Sequence, residues 1–230
     1  PSGQWEQEPG NRRAAISPVR GQGLLTFEGD CVVRERIDVV FPVLHGANGE
    51  DGAMQGLLQL AGIPYVGSHV AASAVAMDKT LTKLVADQAG IRQAAWRLVW
   101  SGEHQKERVL NALEEQFQYP MFVKPAGTGS SVGVSKVKNR EELIAALETA
   151  AQYDRKILVE EFIHGREIEV AVMGNDSPVA SICGEIDSGA EFYDYEAKYV
   201  TDTSRAYIPA RISEETEEAV RDAAVRIYQA

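Results

Sequence analysis

The chain has 230 residues, 44% hydrophobic and 25% charged, enough apolar material to bury a core in one or two domains. Its formal net charge of -11 argues against nucleic acid or an anionic membrane as a partner, so an anionic ligand needs a local cationic pocket. Two distant cysteines, Cys31 and Cys183, without a CxxC pattern, argue against a zinc cluster or a disulfide framework, and no apolar run reaches about 18 residues.

Residues 1–36 are polar, with weak periodicity. Residues 37–46 (IDVVFPVLHG) are a nearly continuous apolar run, which predicts a strand buried on both faces of a parallel sheet. GANGEDG (46–52) reads as a loop, 53–62 as a helix stopped by Gly62, and 63–68 as another short strand. This strand–loop–helix–strand order predicts an α/β unit, with a boundary near Gly67–Ser73. Residues 78–90 form a second helix ended by a glycine. Asn139 caps a third, with Glu142 three residues on and a buried stripe of Leu143, Ile144, Leu147 and Ala151. Residues 156–163, 166–175 and 178–186 read as strands. In the second, Ile168, Val170 and Val172 alternate with Glu167, Glu169 and Ala171, the antiparallel pattern of an α+β unit. Residues 213–229 form an amphipathic helix capped by Ser213, with Ala219, Val220, Ala223, Ala224, Ile227 and Tyr228 on one face. No closing signal follows this helix, and the chain opens on Pro1, so both ends read as cuts in a longer sequence.

Five stretches carry chemistry. FVKPAGTGSSVGV (122–134) is neither a Walker loop nor GxGxxG; it reads as strand, Lys124-Pro125, glycine-serine tip, strand. Gly127, Gly129 and Gly133 let backbone N–H groups turn toward an anion, Ser130 and Ser131 add hydroxyls, and Lys124 supplies a point charge. The plain alternative is a glycine-rich hairpin with a surface lysine. Lys79 sits in the first turn of a helix, where anions are favoured; alternatively it is solvated. Glu160 ends one strand and Glu167 opens the next; either can accept from a ribose hydroxyl, while Val159, Phe162 and Ile163 offer apolar walls for a purine. These acids also suit a plain hairpin. EFYDYEAKYV (191–200) crowds acids and aromatics around Lys198 and Tyr199 in a segment of poor periodicity, the composition of a functional loop or of one packed by its own tyrosines. His45 stands at the carboxyl end of the apolar run 37–46, where open α/β sheets bind ligands, though a lone histidine is more often structural.

Together, VLHGANGEDG, AMDK, VKPAGTGSSVGV, VEEFIHGREIEV and FYDYEAKY, in that order, resemble the D-alanine–D-alanine ligase family of the ATP-grasp superfamily from about Ile37 to Ala230. The resemblance implies an ATP-grasp domain over residues 71–230, preceded by a partial, Rossmann-like, parallel-sheet domain over 1–70. It implies a cytoplasmic bacterial homodimer of peptidoglycan synthesis that uses ATP and Mg²⁺ or Mn²⁺ to join two D-alanines through an acyl phosphate. In that frame Lys79 and Lys124 hold ATP phosphates, and the flap with Gly129, Ser130 and Ser131 closes over them. Glu160 and Ile163 hold adenine, Glu167 the ribose, and Lys198 the γ-phosphate. Ser130 and Tyr199 pair to lock the lid, and His45 lies near the carboxylate of the first D-alanine.

Two family features are missing from these 230 residues. The N-terminal glycine-rich motif, with its glutamate for the D-alanine amine, has no counterpart in 1–36. The metal carboxylates and an oxyanion-stabilising arginine follow a helix like 213–229, where this chain stops, so no complete metal site is expected. Glu185, Asp187 and Glu191 are nearby acids without that pattern. The alternatives are a D-alanine–D-lactate or D-alanine–D-serine ligase, another ATP-grasp carboxylate–amine ligase, or a nucleotide-binding piece without activity. The Tyr199 loop favours D-alanine as second substrate.

Overall fold

The computed structural model describes residues 5–8, 12–187 and 205–230. The chain forms two compact units, Pro1–Met77 and Asp78–Ala230.

The first unit opens with an antiparallel meander of β1 (Trp5–Gln7), β2 (Arg12–Ile16), β3 (Leu24–Glu28) and β4 (Cys31–Glu35), in the order β1-β2-β3-β4. The strands are short, and β4 is largely exposed, which is why no apolar alternation announces them. The parallel pairing expected between residues 37–46 and 63–68 is present as a single bridge, Val40 to Tyr65. Val40 donates to Pro64 O at 2.9 Å and accepts from Val66 N at 2.9 Å. Two residues later Pro42 has no N–H to extend a ladder, and Phe41 and Val43 are exposed rather than buried. Helix α1 (Ala53–Ala61) ends at Gly62 in the left-handed conformation, as its sequence predicts. Met54, Leu58, Ala61 and Ile63 form the small core of this unit. Helix α2 (Val70–Met77) follows.

The second unit is built on a four-stranded antiparallel sheet, β5-β8-β6-β7, of β5 (Trp96–Trp100), β8 (Lys156–Glu161), β6 (Met121–Pro125) and β7 (Ser135–Val137). Alternation divides its residues between two faces. Met121, Val123, Ile157 and Val159 join Leu110 and Leu113 of α4 (Glu107–Gln116) and Leu143 and Leu147 of α5 (Arg140–Ala151) in the main core. Phe122, Lys124, Leu158 and Glu160 belong to the opposite face, since Phe122 pairs with Glu160 and Lys124 with Leu158. Asn139 caps α5 by accepting from Glu142 N at 3.0 Å. Its buried stripe is Leu143, Ala146, Leu147 and Ala150, with Ile144 and Ala151 partly buried against the same core. Helix α3 (Lys79–Gln88) is capped by Asp78.

The strands expected over 166–175 and 178–186 are each divided, into β9 (Glu167–Glu169) and β10 (Val172–Met173), and β11 (Val179–Ala180) and β12 (Gly184–Asp187). The break falls where Ser181 Oγ accepts from Ala171 N at 3.0 Å, a side chain taking the place of a ladder carbonyl. Strand β12 pairs with β9 on one side and β13 (Arg205–Tyr207) on the other, in a three-stranded sheet ordered β13-β12-β9, and α6 (Glu214–Gln229) starts at its predicted Ser213 cap. Among the described residues no helix is long and apolar enough to cross a membrane.

Candidate active site

The face of the sheet turned away from α4 and α5 gathers charge. Lys124 and Glu160 lie diagonally across β6 and β8, and their ammonium and carboxylate are paired. Lys83, one turn after Lys79 on α3, pairs with the other Glu160 oxygen at 3.0 Å. Glu160 is only 8% exposed. Burial by itself would raise its pKa; Lys124 and then Lys83 outweigh that, and the net direction is down, so the carboxylate stays ionised. The cluster therefore carries two cations around one buried anion.

Lys79 approaches the glycine-rich stretch from α3. Its ammonium donates to Thr128 O at 2.6 Å, Pro125 O at 3.1 Å and Ala126 O at 3.3 Å. Three carbonyls match its three donors. Burial lowers its pKa, with the Lys124 charge the next contribution, so the two ammonium groups are close enough to feel one another. Asp78 is held by Lys156 as well as capping α3, and its pKa is lowered: burial works upward, but bonds from Lys156, Thr80 and Leu81 N–H prevail.

The stretch 126–134 is the expected hairpin, joining β6 to β7 with Phe122 opposite Lys136 and Val123 opposite Ser135. Ser130 (φ 49°), Ser131 (φ 58°) and Gly133 (φ 72°) all take left-handed backbone. Successive residues of that kind form a turn whose N–H groups can face an anion. Gly127 N donates to Asp154 Oδ2 at 2.6 Å.

Sequence-predicted residues thus divide. Lys79, Lys124, Glu160 and the hairpin residues Gly129, Ser130 and Ser131 belong to one region of the second unit. Ile163 and Glu167 are exposed, Ile163 in the turn after β8 and Glu167 at the start of β9 opposite Ile186. Phe122 and Phe162 rings lie 5.9 Å apart, and Lys136 Nζ sits 4.0 Å from the Phe162 centroid. Val159, read as a purine wall, instead belongs to the main core, because strand alternation turns it from the face that carries Glu160. His45 is exposed in the other unit. Lys198 and Tyr199 lie outside the described residues. Sequence reasoning missed Lys83, Asp154 and Lys156; the i,i+4 spacing of Lys79 and Lys83 was a usable signal for the first.

The described residues do not fit the implied Mg²⁺ or Mn²⁺: no three His, Cys, Asp or Glu side chains among them gather to hold a metal. Glu185 is occupied by Arg211, which binds it at 2.8 and 3.1 Å and stacks 3.6 Å above the Tyr207 ring.

A helix-backed antiparallel sheet whose other face carries lysines, next to a glycine-serine hairpin, agrees with the ATP-grasp fold of its structural neighbours. Residues 6–68 match the family model of the D-ala D-ala ligase N-terminus, and residues 85–230 that of the D-ala D-ala ligase C-terminus. The chain belongs to the D-alanine–D-alanine ligase family. It is 50% identical, over its whole length, to a D-alanine–D-alanine ligase of Acetivibrio thermocellus, and 52% identical over 94% of its length to one of Bacillus cytotoxicus. It spans 65% of the first and 60% of the second. Among solved structures, the VanG D-Ala:D-Ser ligase of Enterococcus faecalis is 38% identical with a TM-score of 0.83, covering 96% of this chain and 64% of its own. The D-alanine–D-alanine ligase of Coxiella burnetii is 34% identical with a TM-score of 0.77, covering 96% of this chain and 58% of its own.

Proposed function

We propose that the protein joins two D-alanines to D-alanyl-D-alanine with ATP, for peptidoglycan precursor synthesis. One observation carries the reading: Lys79 binds the carbonyls of Pro125, Ala126 and Thr128 at the root of a hairpin whose tip holds three residues in left-handed backbone, and Lys124 stands on the strand that leads into it. Such a place suits a triphosphate, because cations and backbone N–H groups neutralise the charge that shifts during phosphoryl transfer.

Lys124 then holds phosphate oxygens, and Lys79 reaches one by exchanging a carbonyl of Pro125, Ala126 or Thr128. Glu160 and Ile163 border adenine, and Glu167 takes the ribose. Lys198 serves the γ-phosphate, Ser130 and Tyr199 close the lid, and His45 serves the first D-alanine. The carboxylate oxygen of that D-alanine attacks the γ-phosphorus and ADP leaves. The amine of the second D-alanine attacks the acyl carbon and phosphate leaves. No protein nucleophile is needed; positioning and exclusion of water are. We place the enzyme in the cytoplasm as a homodimer, and assign no step to a metal ion.

The test is phosphate release from ATP, with and without D-alanine, by the 230-residue chain and by the full-length gene product, with the dipeptide detected by mass. D-alanine-dependent release with dipeptide formation is expected from the full-length product. Nucleotide binding without such release would overturn the ligase assignment. D-serine competition addresses the likeness to the D-Ala:D-Ser ligase; preferential incorporation of D-serine would overturn the choice of second substrate.

A further inference from the structure

Besides Lys79, the root of the hairpin 126–134 is held by the turn of residues 152–155 between α5 and β8. Asp154 Oδ2 accepts from Gly127 N at 2.6 Å, and its Oδ1 accepts from Lys156 N at 3.0 Å. The turn is itself fixed to the end of α5, because Tyr153 N and Asp154 N both donate to Ala150 O at 3.1 Å. Lys156 O takes Ala126 N at 3.0 Å, and the Lys156 side chain pairs with Asp78, the cap of α3. The second leg is tight as well: a Cβ on Gly133 would lie 2.8 Å from Tyr153 Cδ2.

The first leg is thus gripped from two sides by opposite charges. The Asp154 carboxylate takes its Gly127 N–H, while the Lys79 ammonium takes the carbonyls of Pro125, Ala126 and Thr128. Backbone partners hold Ala126, whose N–H goes to Lys156 O and whose carbonyl also accepts from Lys79 N at 3.0 Å, but the Gly127 N–H lies past the end of β6 and is met by the Asp154 carboxylate. We propose that Asp154 is a positioning residue for nucleotide binding: by fixing the Gly127 peptide it anchors the flap at its root and presents the tip, 129–133, to the phosphates. The proposal rests on the nucleotide reading of the hairpin given above. Asp154 itself touches no substrate; it acts through Gly127 and, with Lys79, through the peptides on either side. Without it the leg has to be ordered each time nucleotide binds, an entropy loss that weakens ATP and leaves the amino acid little affected.

The experiment compares Asp154→Ala and Asp154→Asn with the parent in the full-length protein. Expected for Asp154→Ala is a rise of tenfold or more in KM for ATP, with KM for D-alanine within threefold. Asp154→Asn keeps an oxygen for the Gly127 N–H and is expected to restore most of the loss. A purely structural role would lower Tm and leave that split and that rescue absent. An ATP KM within twofold of the parent for Asp154→Ala, or an Asn variant as impaired as the Ala variant, overturns the proposal. Calorimetric affinity for a non-hydrolysable ATP analogue repeats the comparison without catalysis. It decides for or against the anchor even where D-alanine ligation is absent and the ligase reading fails.

Discussion

Lys124 reaches the face of the sheet turned away from α4 and α5 because it alternates with Val123, which is buried on the other. Lys124→Ala removes a charged donor from the phosphate region and leaves Glu160 with Lys83 alone. A donor of this kind is worth about 3–4 kcal/mol in the transition state, so kcat/KM in the full-length enzyme is expected to fall at least roughly a hundredfold. Steady-state kinetics check this, and an unchanged value removes the role. The second residue-scale expectation concerns Glu185. Hydrogen bonds from the Arg211 side chain, then its backbone N–H, hold Glu185 at about 2 instead of 4.5. A depressed carboxylate contributes stability that is complete above the unfolded pKa and is lost as pH falls from about 4.5 through about 2. Arg211→Met is expected to flatten the dependence of the urea midpoint on pH across that window; an unaltered slope argues against the pairing. Lys124 and the Asn139 cap were legible because each is announced by its immediate neighbours. Asp154 was not, because its partner lies 27 residues away, and for Lys83 the spacing from Lys79 marks the shared helix face but not the pairing with Glu160, 77 residues on.

At the scale of the element, the hairpin was readable because glycine and serine in that density have few other uses between strands. Its support was not, since that comes from a different turn. Gly133 has φ 72°, and a Cβ there would meet Pro125 Cγ at 2.8 Å as well as Tyr153. A non-glycine residue in left-handed backbone costs roughly 1–2 kcal/mol before any clash. Gly133→Ala is therefore expected to lower Tm and weaken ATP binding, and Tyr153→Ala added to it should recover part of the loss. A double-mutant cycle measures the coupling; strict additivity would mean that the two do not touch. The apolar run 37–46 promised a buried strand and delivers one bridge, because hydrophobic periodicity reports what a segment could bury and not whether a neighbour pairs with it. The meander β1–β4 was hidden for the converse reason: its pairing is through the backbone, β4 is largely exposed, and the half-buried side chains of β2 and β3 do not alternate apolar with polar.

Across the whole molecule, each unit has a core of its own, four buried residues in the first and a much larger cluster under the sheet of the second. Units with separate cores need not melt together. Calorimetry of the 230-residue chain is expected to show two transitions, with Pro1–Met77 melting first. An ATP analogue at about a hundred times its Kd adds about 2.7 kcal/mol to the unit that binds it, or roughly 5–10 °C for one of this size. Only the second transition should move; a shift confined to the first would place the nucleotide elsewhere.

Glu160 divides its two oxygens between Lys124 and Lys83, so releasing one partner does not strand it. Were Lys124 to swing toward an arriving polyanion, the carboxylate beneath would keep its companion from α3, and recruiting the lysine would leave no uncompensated charge behind. Neutralising the acid by Glu160→Gln has the reverse effect: two like charges would confront each other across an amide, each with reason to abandon the sheet.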